Sequence, residues 1–481
     1  MPNRFHKGFT DLTDEVHIES LPVTGEIPRW VAGTLIRNGP GRFSTGTTSY
    51  RHWFDGLAML RAFWISDGSV SYANRYLRTD SYADDLATDQ VTYRGFAVDP
   101  CMTRFQRAMA IFIRPKLGTN PVINIVKAAG QFIAMTEATL AVEFDPKTLE
   151  TIREVQYTED GGKISADTAT AHPHYDAARG VGYNYMLQIG AIMKYQLHTQ
   201  QGSDHHKLFE RAVREPTYMH SFGMSDRYLI LSEYPFVLPQ RNLLTLATVS
   251  KPFIENFVWQ PERGTRFMVI DKVTGACVAD VRGEAVFAFH HINAYEEDET
   301  LIVDLCGYPD ATVIDGLYLE SVRRDPYINQ AGHVMRFRIP LQGTNERLTA
   351  ERIGTSNIEL PRIHYSAHSG KPYQYVYGVS LHDGMQDFTN QLVKINVQTG
   401  ETAIWFVDGY YPSEPVFVPA PDATTEDDGV LLSVVLDSTA EHSFLLVLDA
   451  TTMTEIARAE LPHALPFSFH GQFFNVRTFK L

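Results

Sequence analysis

The segment Phe287–Glu297 reads Phe-Ala-Phe-His-His-Ile-Asn-Ala-Tyr-Glu-Glu and places two histidines at the end of an apolar run. Alternate residues of a β-strand point to opposite faces, and this pattern predicts a strand. On such a strand His290 faces a central cavity, while His291 packs or forms hydrogen bonds elsewhere. A single strand histidine is weak evidence for a metal ligand, but three other histidines occupy comparable settings far away in the chain.

Short apolar or alternating runs closed by turn residues dominate the 481-residue chain. Asp145-Pro-Lys-Thr, Asp271-Lys-Val-Thr-Gly and Asp449-Ala-Thr-Thr each follow such a run and indicate hairpins. Many short strands with turns at near-regular spacing are typical of a sandwich, a barrel or a propeller. The length fits a propeller of roughly six to eight blades best, and no clear sequence period accompanies it.

Charge and cysteine content exclude several classes of protein. The chain has 42 basic and 57 acidic residues, a net charge of −15, which argues against a nucleic-acid partner. Cys101, Cys277 and Cys306 are too few and too scattered for a disulfide framework or a cysteine metal cluster. We therefore predict a reducing, cytoplasmic location. No secretory signal or long apolar run is visible, so the protein is expected to be soluble or to rest on a membrane surface.

Two segments interrupt the strand pattern. Residues 101–117 carry apolar residues at helical spacing mixed with basic residues, which fits either a helix in a membrane interface or a helix packed on the core. Residues 236–259 form an apolar, proline-interrupted stretch that fits either a cavity lid or a surface patch.

Four histidines lie in aromatic or apolar surroundings near the ends of predicted strands: His172, His220, His290 and His470. A propeller brings equivalent strand ends of separate blades to one axis, so ligands that are widely spaced in the chain can converge there. Neutral imidazoles favour iron, zinc, copper or nickel, and four of them without cysteine suggest a metal site with open positions. The alternative is that each histidine is hydrogen-bonded separately within the core.

Three glutamates are candidates for supporting these histidines, because a metal-bound imidazole usually donates its second N–H to a carboxylate or carbonyl. Glu137, Glu359 and Glu414 lie in apolar strand settings, where an unpaired carboxylate would be costly to bury. The alternative for each is a partly exposed glutamate near a turn.

Several of these segments are motifs that occur together in one known family. They are His52-Trp-Phe-Asp-Gly, Ala171-His-Pro-His, Met219-His-Ser-Phe, Phe289-His-His-Ile-Asn-Ala-Tyr-Glu, Ser413-Glu-Pro and Phe469-His-Gly. Together and in this order they resemble the carotenoid cleavage oxygenase family over nearly the whole chain.

The resemblance implies an all-β fold, a seven-bladed β-propeller with a helical and loop cap, formed by residues 1–481 as a single domain. It implies Fe(II) held by the four histidines, with the three glutamates bonded behind them. It also implies a reaction in which O2 cleaves a conjugated C=C bond of a polyene into two carbonyl products. The remaining protein groups would orient the alkene and protect other groups from the oxidant.

The resemblance also indicates a branch of the family. Stilbene-cleaving members resemble Lys-Glu where this chain has Thr136-Glu137, so a phenolic stilbene is disfavoured. Asp99-Pro-Cys resembles the animal β-carotene oxygenases and the retinoid isomerohydrolase, in which the segment after the cysteine touches the membrane. Phe289, Thr136 and Tyr318 match positions that line the family's substrate tunnel, with ordinary packing residues as the alternative.

The leading hypothesis is an iron dioxygenase that acts on a carotenoid or apocarotenoid, with central cleavage of β-carotene to retinal as one candidate reaction. The alternatives are a retinoid isomerohydrolase that uses the same iron as a Lewis acid, a stilbene-cleaving dioxygenase, and an inactive propeller that only binds ligands. We also predict contact with a membrane surface.

Overall fold

The computed structural model describes residues 3–46, 48–100, 102, 109, 118–324, 326–327 and 330–476. In these residues strands predominate and helices are short. The predicted interfacial helix at residues 101–117 lies outside the described residues, apart from Met102 and Met109.

Seven sheets of four or more strands are formed by the described residues. In hydrogen-bonded order, the first contains His17–Ile18, Ser69–Tyr76, Leu57–Ser66, Gly33–Arg42 and Gly471–Asn475. The second contains Thr151–Gln156, Leu140–Phe144, Gln131–Met135 and Asn124–Ala128. The third contains Gly162–Lys163, Thr158–Glu159, Asp204–Val213, Met193–Gln201, Val181–Gln188 and Thr168–Ala169, with His174–Asp176 also paired to Val181–Gln188.

The other four large sheets continue the series in the same order of pairing. The fourth contains Gly223–Met224, Tyr228–Glu233, Thr265–Asp271 and Cys277–Gly283. The fifth contains Phe287–Glu297, Thr300–Tyr308, His333–Pro340 and Glu351–Asn357. The sixth contains Glu359–Arg362, Tyr375–Ser380, Gln391–Asn396 and Thr402–Phe406. The seventh contains Val23–Gly25, Glu455–Glu460, His442–Asp449, Gly429–Asp437 and Tyr410–Pro412, with Val416–Pro419 also paired to Gly429–Asp437. Two small ribbons pair Phe236–Val237 with Val258–Trp259, and Ser44–Thr45 with Thr48–Ser49.

The sheets have a propeller-like arrangement, which confirms the predicted all-β propeller class. Six blades are recognised in this arrangement, one fewer than the predicted seven. The sheets are not uniform four-stranded meanders: in the third, Thr158–Glu159 pairs in parallel with the start of Asp204–Val213, whereas most neighbouring strands are antiparallel. Such irregular pairing departs from the uniform blades that the strand pattern of the sequence predicts.

Each end of the described chain adds a strand to a sheet formed mainly by the other end of the chain. Gly33–Arg42 pairs antiparallel with Gly471–Asn475, and Val23–Gly25 pairs with Glu455–Glu460. These pairings tie the beginning of the propeller to its end, and each added strand is the terminal strand of its sheet.

The helices lie between strands of the propeller. The α-helices are Asp80–Thr88, Leu243–Ala247, Thr312–Gly316, Leu319–Val322 and Tyr365–His368. The 3-10 helices are His6–Phe9, Trp53–Asp55, Gln240–Asn242, Ile254–Asn256 and Pro261–Arg263. None of the helices in the described ranges has the length and apolarity needed to span a bilayer.

Residues 236–259, predicted as a lid or a patch, form a compact excursion closed by the ribbon of Phe236 and Trp259. Its interior is held by the fully buried Asn256, whose Nδ2 donates to the Pro252 carbonyl at 2.7 Å. Arg94 ties it to the neighbouring loop, because its Nη1 donates to the Leu246 carbonyl at 3.0 Å. The excursion therefore has a defined structure of its own.

Candidate metal centre

The four predicted histidines converge at one point. One ring nitrogen from each of His172, His220, His290 and His470 lies within 4.8 Å of those of the other three. The Nε2 atoms of His172 and His220 are 3.0 Å apart, and those of His290 and His470 are 3.1 Å apart. The structure thus brings together residues from four remote parts of the chain.

Local backbone structure aims these rings. The pairing of Phe287–Glu297 with its neighbour shifts register between Ala288 and His291, a bulge of the kind that re-aims side chains beside functional sites. The Thr170 hydroxyl donates to the His220 carbonyl and accepts the His172 N–H, so two ligand segments are held together.

His290 and His291 point to opposite sides of their strand. The Nε2 of His290 faces the cluster, whereas the ring of His291 lies between Ser221 and Ser232, with Nδ1 and Nε2 at 2.9 Å and 2.8 Å from the two hydroxyls. Burial lowers the pKa of His291 to about 3, so its ring is neutral. The choice of His290 over His291 agrees with this geometry.

Glu137 is bonded to the first of three supported histidines. Its Oε1 lies 2.6 Å from Nδ1 of His220 and also accepts a hydrogen bond from the Tyr218 hydroxyl at 2.9 Å. These two contacts fix the rotation of the imidazole, because its Nδ1–H has a defined acceptor.

Glu359 supports His290 in the same way, with Oε2 at 2.6 Å from Nδ1. The Leu360 N–H also donates to this oxygen, and Leu360 has a φ of 49°, which is unusual for a residue other than glycine. Burial opposes ionisation of Glu359, but its interaction with His290 and these hydrogen bonds lower its pKa below the ordinary value.

Glu414 supports His470 and is the most deeply buried of the three glutamates. Its Oε1 is 2.7 Å from Nδ1 of His470, while Oε2 accepts hydrogen bonds from Arg37 at 2.6 Å and from the Gly471 N–H at 3.0 Å. Burial alone would raise the pKa of Glu414, but its interactions with Arg362, His470 and Arg37 lower it below its ordinary value.

The protonation of the rings fits a metal site. Because the Nδ1–H of three histidines donates to a glutamate, it is their Nε2 atoms that face the common centre with a lone pair. Burial lowers the pKa of His470 to about 4 and, together with the neighbouring imidazoles, lowers that of His172 well below its usual value. Neutral rings with facing lone pairs repel each other unless a cation lies between them, so this donor set fits a transition metal.

Two cavities adjoin the centre. The first, which we call the histidine cavity, has about 970 Å³ including the space at its opening, and His220, His290 and His470 line it. The second, the Glu137 cavity, has about 2300 Å³ on the same measure and is lined by Glu137 and by the 243–257 part of the apolar excursion. Phe54 and Ile123 border both cavities. These two residues therefore form a wall shared by the two cavities.

Residues 9–475 match the family model described as "Retinal pigment epithelial membrane protein". The match spans nearly the whole chain and includes all four histidines. The chain belongs to the carotenoid cleavage oxygenase family.

Curated relatives within this family are similar over most of their length. A mitochondrial carotenoid-cleaving dioxygenase from Mustela putorius furo is 32% identical, covering 97% of this chain and 96% of the relative. A carotenoid isomerooxygenase from Galleria mellonella is 34% identical, covering 95% and 93%. The β,β-carotene 15,15'-dioxygenase of Homo sapiens is 33% identical, covering 94% and 91%.

Solved structures of the carotenoid cleavage oxygenases share the fold. A mutant of the Synechocystis apocarotenoid oxygenase superimposes with a TM-score of 0.84 at 23% identity, covering 98% of each chain. A chimera of that oxygenase with RPE65 superimposes with a TM-score of 0.85 at 24% identity, again covering 98% of each chain.

The three tunnel residues expected from the family lie in different places. Phe289 lines the histidine cavity, and Thr136 lines the Glu137 cavity. Tyr318 is not among the residues that line either one. Its ring packs edge-on against His52 with centroids 5.0 Å apart, and its hydroxyl donates to Glu255 at 3.2 Å.

Sequence reasoning missed other residues of this carotenoid cleavage oxygenase site. Arg37 pairs with Glu414, Tyr218 bonds Glu137, and Phe54 and Ile123 separate the cavities. Arg37 had a signal: an arginine that directly follows the run Gly33-Thr-Leu-Ile, in the middle of a strand, requires a partner when it is buried. Phe54 and Ile123 had none, because a cavity wall and a packed core use the same residue types.

Proposed function

We propose that this protein is a non-haem iron(II) dioxygenase that cleaves a conjugated C=C bond of a carotenoid or apocarotenoid with O2. The products are two aldehydes, with retinal as the product where the central bond of β-carotene is cut. Both oxygen atoms of O2 enter the two new C=O groups, so no external reductant is consumed. The observation that carries the proposal is the convergence of four imidazoles beside two largely apolar cavities.

The iron would be held by His172, His220, His290 and His470, and it would supply open positions at which O2 is activated. The protein's own residues have separate tasks. Glu137, Glu359 and Glu414 hold three of the rings in a fixed tautomer and orientation. Aromatic residues in the wall of the histidine cavity, Phe289, Phe54 and Phe469 among them, position the polyene and exclude water.

The substrate is proposed from the chemistry of the cavities and from the named relatives. A polyene offers no charge and few hydrogen-bonding groups, so its binding depends on apolar area. Thr136 in the Glu137 cavity offers no positive charge for a phenolate, which disfavours stilbenes.

We propose a single propeller domain of seven blades, in which each sheet of four or more strands is one blade.

We further propose a cytoplasmic protein that contacts a membrane surface near the mouth of the Glu137 cavity. Ile192 and Leu244, which are 62% and 65% exposed, follow the cavity residues Ala191 and Leu243. Their exposure supports this position, because a carotenoid is delivered from lipid. Replacing both by aspartate should release the protein from vesicles in a flotation assay, and unchanged flotation would refute this contact surface.

The activity is tested by incubating iron-loaded protein with β-carotene and apocarotenoids in an 18O2 atmosphere. We expect two aldehydes, each carrying label, in a one-to-one ratio. Retinol released from a retinyl ester without O2 would instead identify an isomerohydrolase. Absence of turnover of any polyene by the iron-replete protein would refute the proposal, and absence of turnover of stilbenes and retinyl esters as well would identify a ligand-binding propeller.

A further inference from the structure

Aromatic side chains form one part of the wall of the histidine cavity. Trp53, Phe388, Phe467 and Tyr327 all line it, and the rings of Phe388 and Phe467 stack with centroids 4.8 Å apart. Trp53 continues this wall to Phe469, the neighbour of His470, with centroids 4.6 Å apart. The aromatic wall therefore extends from the metal centre outward.

A second layer lies behind this wall and comes from the start of the chain. The ring of Phe9 packs against Trp53, Phe388 and Phe467, with centroid distances of 5.6, 5.3 and 5.3 Å. Phe5 packs against Phe388 at 5.5 Å and Tyr327 at 5.7 Å. Phe5 and Phe9 are fully buried, yet neither is among the residues that line the cavity.

The N-terminal segment, residues 3–9, is anchored on two sides. Asn3 Nδ2 donates to the Val322 carbonyl at 2.7 Å, and Arg323 Nη2 donates to the Phe9 carbonyl at 2.9 Å. The Phe467 N–H donates to the Gly8 carbonyl at 2.9 Å, which joins this segment directly to the cavity wall. The second layer is thus held in a fixed position.

No space separates the two layers at Gly8. A Cβ atom at this position would lie 2.1 Å from a ring carbon of Phe467. Any side chain at residue 8 must displace Phe467. A smaller side chain at residue 9 must leave space into which the cavity wall can move, because packed interiors transmit such changes.

We propose that the N-terminal segment sets the depth of the histidine cavity, and thereby selects which double bond of the polyene lies at the metal centre. The inference rests on the proposed function. The depth of the cavity beyond the metal centre sets how far one end of the polyene can enter. A shallower or deeper wall therefore changes which double bond of the polyene lies at the metal centre. The segment touches no substrate atom and acts through Trp53, Phe388 and Phe467 as a positioning element.

Two substitutions act in opposite directions. Phe9→Ala lets the aromatic wall retreat and deepens the cavity, whereas Gly8→Ala pushes Phe467 inward and makes it shallower. The measurement is the ratio of aldehyde products of different chain length formed from one carotenoid by the iron-loaded protein. We expect the ratio to change roughly tenfold, in opposite directions for the two variants, as one or two methylene-sized changes in a hydrophobic pocket do.

Two controls separate positioning from loss of stability. Phe144→Ala removes an equally buried ring that packs against Phe132, outside the cavity wall. Arg4→Ala breaks the exposed pair with Asp408 and loosens the same segment without changing the second layer. Both controls should keep the wild-type product ratio, even where the melting temperature falls as far as in Phe9→Ala.

A second measurement does not depend on turnover. Crystal structures of Phe9→Ala and Gly8→Ala should show the histidine cavity enlarged and reduced, and dissociation constants for polyene aldehydes of increasing length should shift toward longer and shorter ligands. An unchanged cavity and an unchanged length preference in both variants would overturn the inference. If the wild-type protein cleaves no polyene, the proposed function fails, while the cavity and the binding series still decide the role of the segment.

Discussion

The His470 side and the His220 side of the metal centre use the same hydrogen bond in opposite surroundings. Glu414 and its partner Arg37 are each 1% exposed, so a buried charge is compensated by a buried charge. Glu137 is 19% exposed, accepts from Tyr218, and borders the larger cavity. A carboxylate that supports a histidine of the centre can therefore belong to the folded core, as Glu414 does, or to a cavity wall, as Glu137 does. Substitutions of these two glutamates should affect stability and metal retention differently.

Both sides depend on the imidazoles themselves, and their removal should have the largest effect. His470→Ala should lose iron and activity together, with a loss greater than the 10–100-fold that is typical of outer groups. Metal analysis and turnover of the purified protein give the measurement. His291→Gln is the matched control. The ring of His291 is hydrogen-bonded to two serines and does not face the centre, so its replacement should leave the iron content unchanged. Full iron content and activity in His470→Ala would remove this residue from the ligand set.

Glu414→Gln should produce the next largest effect, and it should appear in stability. Removing the negative charge leaves Arg37 buried without its closest partner, which costs about 3–5 kcal/mol of unfolding free energy. Denaturant unfolding of metal-free protein measures it. Adding Arg37→Met should recover part of the loss if the pair is the cause. A loss that is the same with and without Arg37 would contradict this account.

Glu137→Gln should show the reverse pattern. We expect a 10–100-fold loss of metal retention or activity, because Glu137 orients His220, with less than about 1 kcal/mol lost from the unfolding free energy. Metal analysis and turnover measure the first effect, and denaturant unfolding of the metal-free protein measures the second. Equal destabilisation by Glu137→Gln and Glu414→Gln would erase the distinction between the two sides of the centre.

Tyr218→Phe should have the smallest effect. It removes one hydrogen bond to Glu137, worth about 0.5–1.5 kcal/mol, so iron affinity should fall by no more than about tenfold. Tyr234→Phe is the control, since its buried hydroxyl forms no hydrogen bond to Glu137, Glu359 or Glu414 and its removal should not change iron affinity. A larger loss in Tyr234→Phe than in Tyr218→Phe would show that packing, not this hydrogen bond, governs the His220 side.

Much of the centre follows from the sequence because its chemistry is concentrated in few residue types. The pattern left each histidine and glutamate with an ordinary structural alternative, and the family motifs selected among them. The pairs His220–Glu137, His290–Glu359 and His470–Glu414, which the sequence did not assign, are seen in the structure. The all-β propeller also follows from strand length and turn spacing.

The parts that escaped prediction depend on shape. Phe5 and Phe9 look like ordinary core residues, and only the fold places them behind the wall of the histidine cavity. The family resemblance puts Tyr318 in the tunnel, but the structure places its hydroxyl against Glu255 and its ring against His52. A residue's distance from a cavity depends on the packing of several blades, and local pattern does not contain that information.

The order of the ligands along the chain also bears on how the protein is made. His172 and His220 leave the ribosome long before His470, and the strand after His470 docks on Gly33–Arg42, which was synthesised near the beginning. A nascent chain can therefore offer only part of the nitrogen set for most of its synthesis. Insertion of the proposed iron would therefore follow the synthesis of His470, which supplies the last of the four nitrogens.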